Sequence, residues 1–330
     1  MSKTPLRLAV LGLGKAGIRH VEAAKAIDDV ELVAVADNSA EARENIDIKG
    51  TSCRVRKDLD GLLDVGTDAM IIALPHGLLA EAAIRVARAG VHMLLEKPMA
   101  NTLEDGQRIV AEANSNGVRL MVNFNHRFRD EYQHAKRWLE EGRIGQIRFL
   151  LEEMFASRGP LPSWVWDPKI AGGGMMTYSG IHMLDHAMWL TGKRVESVSA
   201  SMGSFQYEES LEDTTVASLR LQRGSLVTLI QHKSNVNHSQ ATWETRIQGS
   251  EGAIHVVAGE GAYLSGTRGE EEFKSGAEQR FIRALEEFAA SVREQRAPSS
   301  DGVSALSVLS CLKALYQAQD CGEWVSPEYV

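Results

Sequence analysis

Cysteine is scarce in this sequence. Cys53, Cys311 and Cys321 are the only three in 330 residues, odd in number and without a CxxC spacing. That excludes a disulfide-stapled secreted scaffold and points to a reduced, cytoplasmic chain. An excess of basic charge is missing too: 36 Lys and Arg face 44 Asp and Glu, a net charge of −8, with no basic block. Such a surface does not invite nucleic acid or anionic lipid. Nor is there a long apolar run. Residues 6–13 are too short for a signal-peptide core and include Arg7, and no stretch nears the roughly 20 apolar residues of a membrane helix. Internal repeats and low-complexity segments are not found. What is present is 44% hydrophobic content, ample for a buried core and more natural for two domains than for one.

The first 124 residues alternate apolar runs with helical patterns. Residues 6–11, 31–36, 69–74, 91–95 and 118–124 read as strands, and 16–27, 78–89 and 103–114 as helices. This alternation predicts a doubly wound parallel sheet, with Gly90 and Gly117 as helix stops. From residue 125 to 330 the texture changes. A helix over 130–141 precedes strands at 146–155, 195–203, 214–221, 226–232, 243–248 and 253–257, interrupted by one long helical pattern at 175–190. This predicts an α+β domain with a large, mostly antiparallel, open sheet. Two helices, about 279–295 and 303–320, close the chain, and the last has the option of packing back on the first domain.

The glycine triplet Gly12, Gly14 and Gly17 follows the first strand and opens the first helix, with Lys15 and Ala16 inside the loop. Gly12 permits the tight turn, Gly14 lets the backbone approach a pyrophosphate, and Gly17 lets the helix pack close to the sheet. N–H groups at the helix start then face the phosphates. The next strand ends at Asp37, whose carboxylate suits the two hydroxyls of an adenosine ribose and repels a 2′-phosphate. This favours NAD. NADP stays open through Arg43, and Asp37 also suits a helix cap. Leu74-Pro75-His76 ends another strand at the same sheet edge, with His76 either near a nicotinamide ribose or an ordinary loop histidine.

Glu96-Lys97-Pro98 follows the strand at 91–95, so it shares that edge. A lysine beside a nicotinamide steadies the alkoxide character that builds on a substrate oxygen as hydride leaves; the plain alternative is a surface lysine paired to Glu96. His182, within Gly180-Ile181-His182-Met183-Leu184-Asp185, suits proton transfer because imidazole titrates near working pH. It also reads as a core histidine. His182, Asp185 and His186 lie along one side of a helix and allow a rival reading as a metal site.

These motifs together resemble the Gfo/Idh/MocA oxidoreductases, the glucose-fructose oxidoreductase and inositol dehydrogenase family. The resemblance is carried by the Gly12/Gly14/Gly17 loop, Glu96-Lys97-Pro98, Asn125-His126-Arg127-Phe128, Gly142-Arg143-Ile144-Gly145, Trp166-Asp167-Pro168, Gly172-Gly173-Gly174 and the His182 segment, in order along nearly the whole chain. It implies a Rossmann domain, a second domain whose open sheet forms a homodimer or homotetramer, and an NAD(P)-dependent dehydrogenase. The implied substrate is a sugar, polyol or cyclitol held between the domains, with Lys97 and His182 at the chemistry. Asn125, Arg127, Trp164, Trp166 and Tyr178 are pocket candidates, since indole faces suit a sugar ring and Asn or Arg its hydroxyls. Two positions depart from the family pattern. Tyr178 stands where an aspartate is common, four residues before the histidine, so Tyr178 is a further catalytic candidate. Leu79 stands where a histidine is frequent. The Tyr178 departure also keeps open a non-catalytic sensor or accessory subunit.

Overall fold

The computed structural model describes residues 4–156, 161–206, 211–234 and 241–329. The chain divides into two compact units: Met1–Asn125 with Gln279–Leu306, and His126–Glu278 with Ser307–Val330.

The first unit alternates strand and helix: β1 (Leu6–Leu11), α1 (Lys15–Lys25), β2 (Val30–Ala36), α2 (Ala40–Asn45), β3 (Arg54–Arg56), α3 (Leu59–Leu63), β4 (Ala69–Ile72), α4 (His76–Arg88), β5 (His92–Leu95), α5 (Leu103–Ser115) and β6 (Leu120–Val122). The strands pair in parallel in the order β3-β2-β1-β4-β5-β6. Ala69 to Ile72 and Met93 to Leu95 are fully buried. Strands covered on both faces are apolar throughout, which is why they stand out in the sequence. The winding reverses between β1 and β4. In a sheet of this kind, ligands bind in the crevice outside the strand carboxyl ends at that point.

The second unit contains α6 (Asp130–Glu140), β7 (Ile147–Ala156), α7 (Pro168–Ala171), α8 (Ile181–Thr191), β8 (Val195–Gly203), β9 (Thr214–Leu221), β10 (Leu226–Lys233), β11 (Thr242–Gly249), β12 (Gly252–Val257), β13 (Gly261–Gly266) and β14 (Gly269–Lys274). The sheet order is β14-β13-β12-β11-β7-β10-β9-β8. Neighbours run antiparallel except β7 and β10, which pair in parallel over Leu226↔Phe149 to Lys233↔Ala156. Alternate residues such as Leu150, Glu152 and Met154 are buried. The opposite parity exposes Phe149, Val216, Leu226 and Tyr263. The sequence pattern at 175–190 divides in two: a π turn at Met176–Gly180, then α8.

The chain closes with α9 (Arg280–Arg293) and α10 (Gly302–Cys321). Residues 279–306 are fastened to the first sheet by Ser300 Oγ donating to the Val122 carbonyl (2.7 Å) and Arg119 donating to the Gln295 carbonyl (2.7 Å). Among the described residues no helix is long and apolar enough to cross a membrane.

Candidate functional site

In the first unit the carboxyl edge gathers the glycine loop, Asp37, residues 73–76 and Glu96-Lys97. Gly12 has φ +94°, and a Cβ there would sit 2.3 Å from the Ala73 carbonyl oxygen. A Cβ on Gly17 would lie 1.8 Å from the Gly12 carbonyl oxygen. Both glycines are therefore dictated by the loop's own packing. Gly14 is different: nothing lies within 4 Å of its missing side chain, so the backbone is open to a ligand. Gly14 caps α1 without a side-chain hydrogen bond, and no acid occupies the first turn. The helix thus presents uncompensated N–H groups and the positive end of its dipole, the environment a pyrophosphate needs. These residues fit an NAD pyrophosphate.

Asp37 follows β2 and is half-buried. Its carboxylate accepts from Leu13 N (2.7 Å) and Ser39 N (2.8 Å), which fixes both oxygens beside the loop. Each oxygen keeps a lone pair for a ribose hydroxyl. Arg43 donates to the Asp37 carbonyl oxygen (2.6 Å), so that guanidinium is held on the main chain. His76 is buried at the first position of α4, which has Pro75 as its N-cap, and Leu79 is wholly buried one turn on.

Glu96 leaves β5 into the interior. Its Oε1 accepts from His20 Nε2 (2.9 Å) and Asn123 Nδ2 (2.6 Å), and its Oε2 from Lys97 N (3.3 Å). Burial opposes ionisation of Glu96, but the His20 hydrogen bond and charge, the Lys97 charge and the Asn123 hydrogen bond outweigh it and hold the carboxyl below its ordinary range. Lys97 is likewise pushed down, below its usual basicity. Burial lowers its pKa, and the Glu96 charge restores only part of it. The Lys97–Pro98 peptide is cis. His20, on α1, and Asn123, after β6, escaped the sequence reading. The one local signal for His20 was its position three residues past Gly17, on the inward face of the helix.

The short turn Asn125–Phe128 enters the second unit and carries His126 and Arg127 against α8. Arg127 is forked onto Asp185 (Nε 2.8 Å, Nη2 2.5 Å). Both are buried, and the Arg127 guanidinium also lies 5.7 Å from the Trp189 ring. His186 Nδ1 bonds Glu152 Oε1 (2.9 Å), which also accepts from Trp243 Nε1 (2.6 Å). Successive residues on a helix point about 100° apart, so Asp185 and His186 reach different partners. Among the described residues no group of three metal-ligating side chains forms. The rival reading of His182, Asp185 and His186 as a metal site is corrected accordingly.

The His182 ring lies against His126, with centroids 4.3 Å apart, and His126 in turn against Trp243 at 4.2 Å. Tyr178 sits in the π turn, its ring 6.0 Å from that of Trp164. The π turn runs directly into α8, which carries His182 as its second residue. Trp164 and Trp166 are half-buried in the turn Ser163–Trp166. The segment leading to His182 is anchored by Glu212, which accepts from Gly174 N (2.9 Å), Met176 N (3.0 Å) and Tyr316 OH (2.7 Å). Burial raises the Glu212 pKa despite these donors. Lys97 thus belongs to the first unit, and Tyr178 and His182 to the second.

Residues 6–124 match the model of an oxidoreductase family with an NAD-binding Rossmann fold, and residues 132–255 match the GFO/IDH/MocA C-terminal domain. The chain is 30% identical to the myo-inositol 2-dehydrogenase of Thermotoga maritima, over 76% of this chain and 74% of that protein. It is 25% identical to the D-glucoside 3-dehydrogenase of Escherichia coli, over 98% and 97%. Among solved structures, the WlbA dehydrogenase of Bordetella pertussis in complex with NADH and UDP-GlcNAcA superposes with a TM-score of 0.87 at 26% identity, covering all of both chains. A glycine loop shaped for a pyrophosphate, on the sheet edge that also carries Asp37 and Lys97, therefore occurs in a chain that belongs to the GFO/IDH/MocA family and is an NAD-binding oxidoreductase.

Proposed function

We propose that this protein is a dehydrogenase for a secondary hydroxyl of a sugar, polyol or cyclitol, with NAD preferred over NADP. The Gly12–Gly17 loop and the start of α1 hold the pyrophosphate, and Asp37 takes the adenosine ribose hydroxyls. Bound NAD supplies the hydride acceptor. Lys97, His182 and Tyr178 belong to the chemistry on the substrate. The Lys97 ammonium hydrogen-bonds the reacting oxygen and stabilises its alkoxide character. His182 accepts the hydroxyl proton as the carbonyl forms, and Tyr178 offers a phenol donor. Asn125, Arg127, Trp164 and Trp166 are assigned to substrate, Arg127 through its buried pair with Asp185. Asn125 Oδ1 is buried without a hydrogen-bond partner among the described residues and suits a substrate hydroxyl. The exposed apolar residues of the second sheet suit self-association as a homodimer or homotetramer, and the three free cysteines suit a cytoplasmic protein.

The observation that supports this reading most is the state of Lys97. It stands at the edge that carries the glycine loop, with burial lowering its pKa. A half-buried lysine whose charge is opposed by burial, at such an edge, is a candidate for a functional group. The named relatives act on inositol and on glucosides. The test is a screen of myo-inositol, free sugars, glucosides and polyols with NAD, read at the reduced-nicotinamide absorbance band. Lys97→Ala is expected to lower kcat by about 10²–10⁴-fold with the NAD dissociation constant nearly unchanged. NAD binding with no turnover across the whole panel would overturn the enzymatic reading in favour of a sensor. Weak NAD binding by the variant would overturn the role given to Lys97.

A further inference from the structure

We propose that His126 is a positioning residue: it fixes the ring plane of His182 through a chain of aromatic contacts anchored on Glu152. The inference rests on the reading of His182 as proton acceptor. His126 and His182 are 8% and 4% exposed. Their ring centroids are 4.3 Å apart with planes inclined by 32°. His126 meets Trp243 at 4.2 Å and the same inclination, while His182 and Trp243 lie 6.1 Å apart. The three rings therefore form a bent column with His126 at the corner.

The far end of that column is pinned. Trp243 Nε1 donates to Glu152 Oε1 at 2.6 Å, and the same oxygen is bonded by His186 Nδ1 at 2.9 Å. Glu152 and His186 are fully buried, and the Tyr132 ring backs His186 at 4.1 Å. The indole N–H is thus held on Glu152 while its ring lies against His126. His126 leans on that indole, and His182 leans on His126.

The backbones are clamped by a separate device. Arg127, next to His126, is forked onto Asp185, one turn beyond His182 on α8. The clamp acts on the backbones and not directly on the second torsion of the His182 side chain. A terminal torsion to an sp² ring has broad minima, so a histidine ring without a flanking plane swings through a wide arc. A proton acceptor works only when its nitrogen is held close to the productive direction. Packing alone asks for volume at position 126, and leucine would supply it. Holding a ring plane asks for another ring.

That difference sets the experiment, done on the full-length protein. His126→Phe keeps a ring, His126→Leu keeps volume without one, and His182→Ala identifies the base. Turnover is measured with NAD and the substrate that reacts fastest in the sugar and polyol panel. Protein labelled with [¹³C-ε1]histidine gives the His182 ring signal, recognised by its loss in His182→Ala. His126→Leu is expected to lose about 10–100-fold in kcat with KM and the NAD dissociation constant little changed, whereas His126→Phe stays within about threefold of wild type. The His182 signal moves or broadens in the leucine variant and stays put in the phenylalanine variant, while the two melt alike. Equal kcat for Leu and Phe, or an unmoved His182 signal in His126→Leu, would overturn the proposal. Full turnover by His182→Ala would instead sink the base assignment, and the ring signal would still decide the column. Should leucine at 126 not fold, Trp243→Leu against Trp243→Phe asks the same question one ring away, with the same expected contrast.

Discussion

Asp185→Asn is a direct test of how the second unit is held. The Arg127–Asp185 pair is buried at both ends, 5% and 0% exposed. Two parallel hydrogen bonds of 2.8 and 2.5 Å join them. Asparagine keeps the shape of the aspartate and removes its charge, and its amide nitrogen turns a donor toward a donor. The guanidinium is then left charged in the interior with half its fork unmet. Breaking such a pair from one side costs about 3–5 kcal/mol. At roughly 2–4 °C per kcal/mol for a unit of 150–250 residues, the melting temperature of the second unit falls by about 6–20 °C. The penalty belongs to the orphaned charge and not to a lost attraction. Removing both charges with Arg127→Met and Asp185→Leu therefore recovers a large part of the loss. Calorimetry and urea denaturation of the three proteins read this out. A single variant within about 1 kcal/mol of wild type, or a double variant worse than Asp185→Asn, would refute the argument.

Two further outcomes are expected. Gly17→Ala places a methyl 1.8 Å from the Gly12 carbonyl oxygen, which forces the loop open; NAD binding measured by calorimetry should drop by at least about 100-fold, and near-normal affinity would show that the loop can yield. Glu96→Gln tests the buried carboxylate through pH. Burial works against its ionisation, but the bonds and charges of His20, Lys97 and Asn123 prevail and depress the folded pKa. Its stabilisation is therefore complete above the unfolded carboxyl value of about 4.3 and is lost as pH falls through the lower folded value. The stability gap between wild type and Glu96→Gln, on the order of 2 kcal/mol at neutral pH, should shrink as pH falls toward 3 in urea titrations; a gap independent of pH would contradict it.

The first sheet was legible because buried parallel strands are unbroken apolar runs. Residues 6–11 are the strand β1 in full, and 31–36 lacks only Val30 of β2. The strand expected at 69–74 ends at Ile72, where the chain turns toward Pro75. Edge elements escaped notice for the opposite reason. β3 is Arg-Val-Arg, and β14 carries Glu270, Glu271 and Glu272 in exposed positions, so neither shows an apolar rhythm. The π turn at Met176–Gly180 hides inside a good helical pattern, because composition does not mark a change from i→i+4 to i→i+5 bonding. The parallel pairing of β7 with β10 depends on long-range assembly. The candidate site divides the same way. The glycine loop and Asp37 are local motifs with fixed offsets, so spacing reveals them. His20 meets Glu96 across 76 residues and Asn123 across 103, and His126 and Trp243 are likewise far apart in sequence. Such encounters leave no local pattern.

The shared carboxylate of Glu96 has a mechanical consequence. One buried oxygen holds both the helix that opens the phosphate-facing loop and the asparagine at the end of β6, and the next residue along the backbone is Lys97. The helix after the glycine loop and the backbone at Lys97 are thus gauged from a single interior pivot. A displacement of α1 would therefore act, through His20, on the carboxylate of the residue that precedes the lysine.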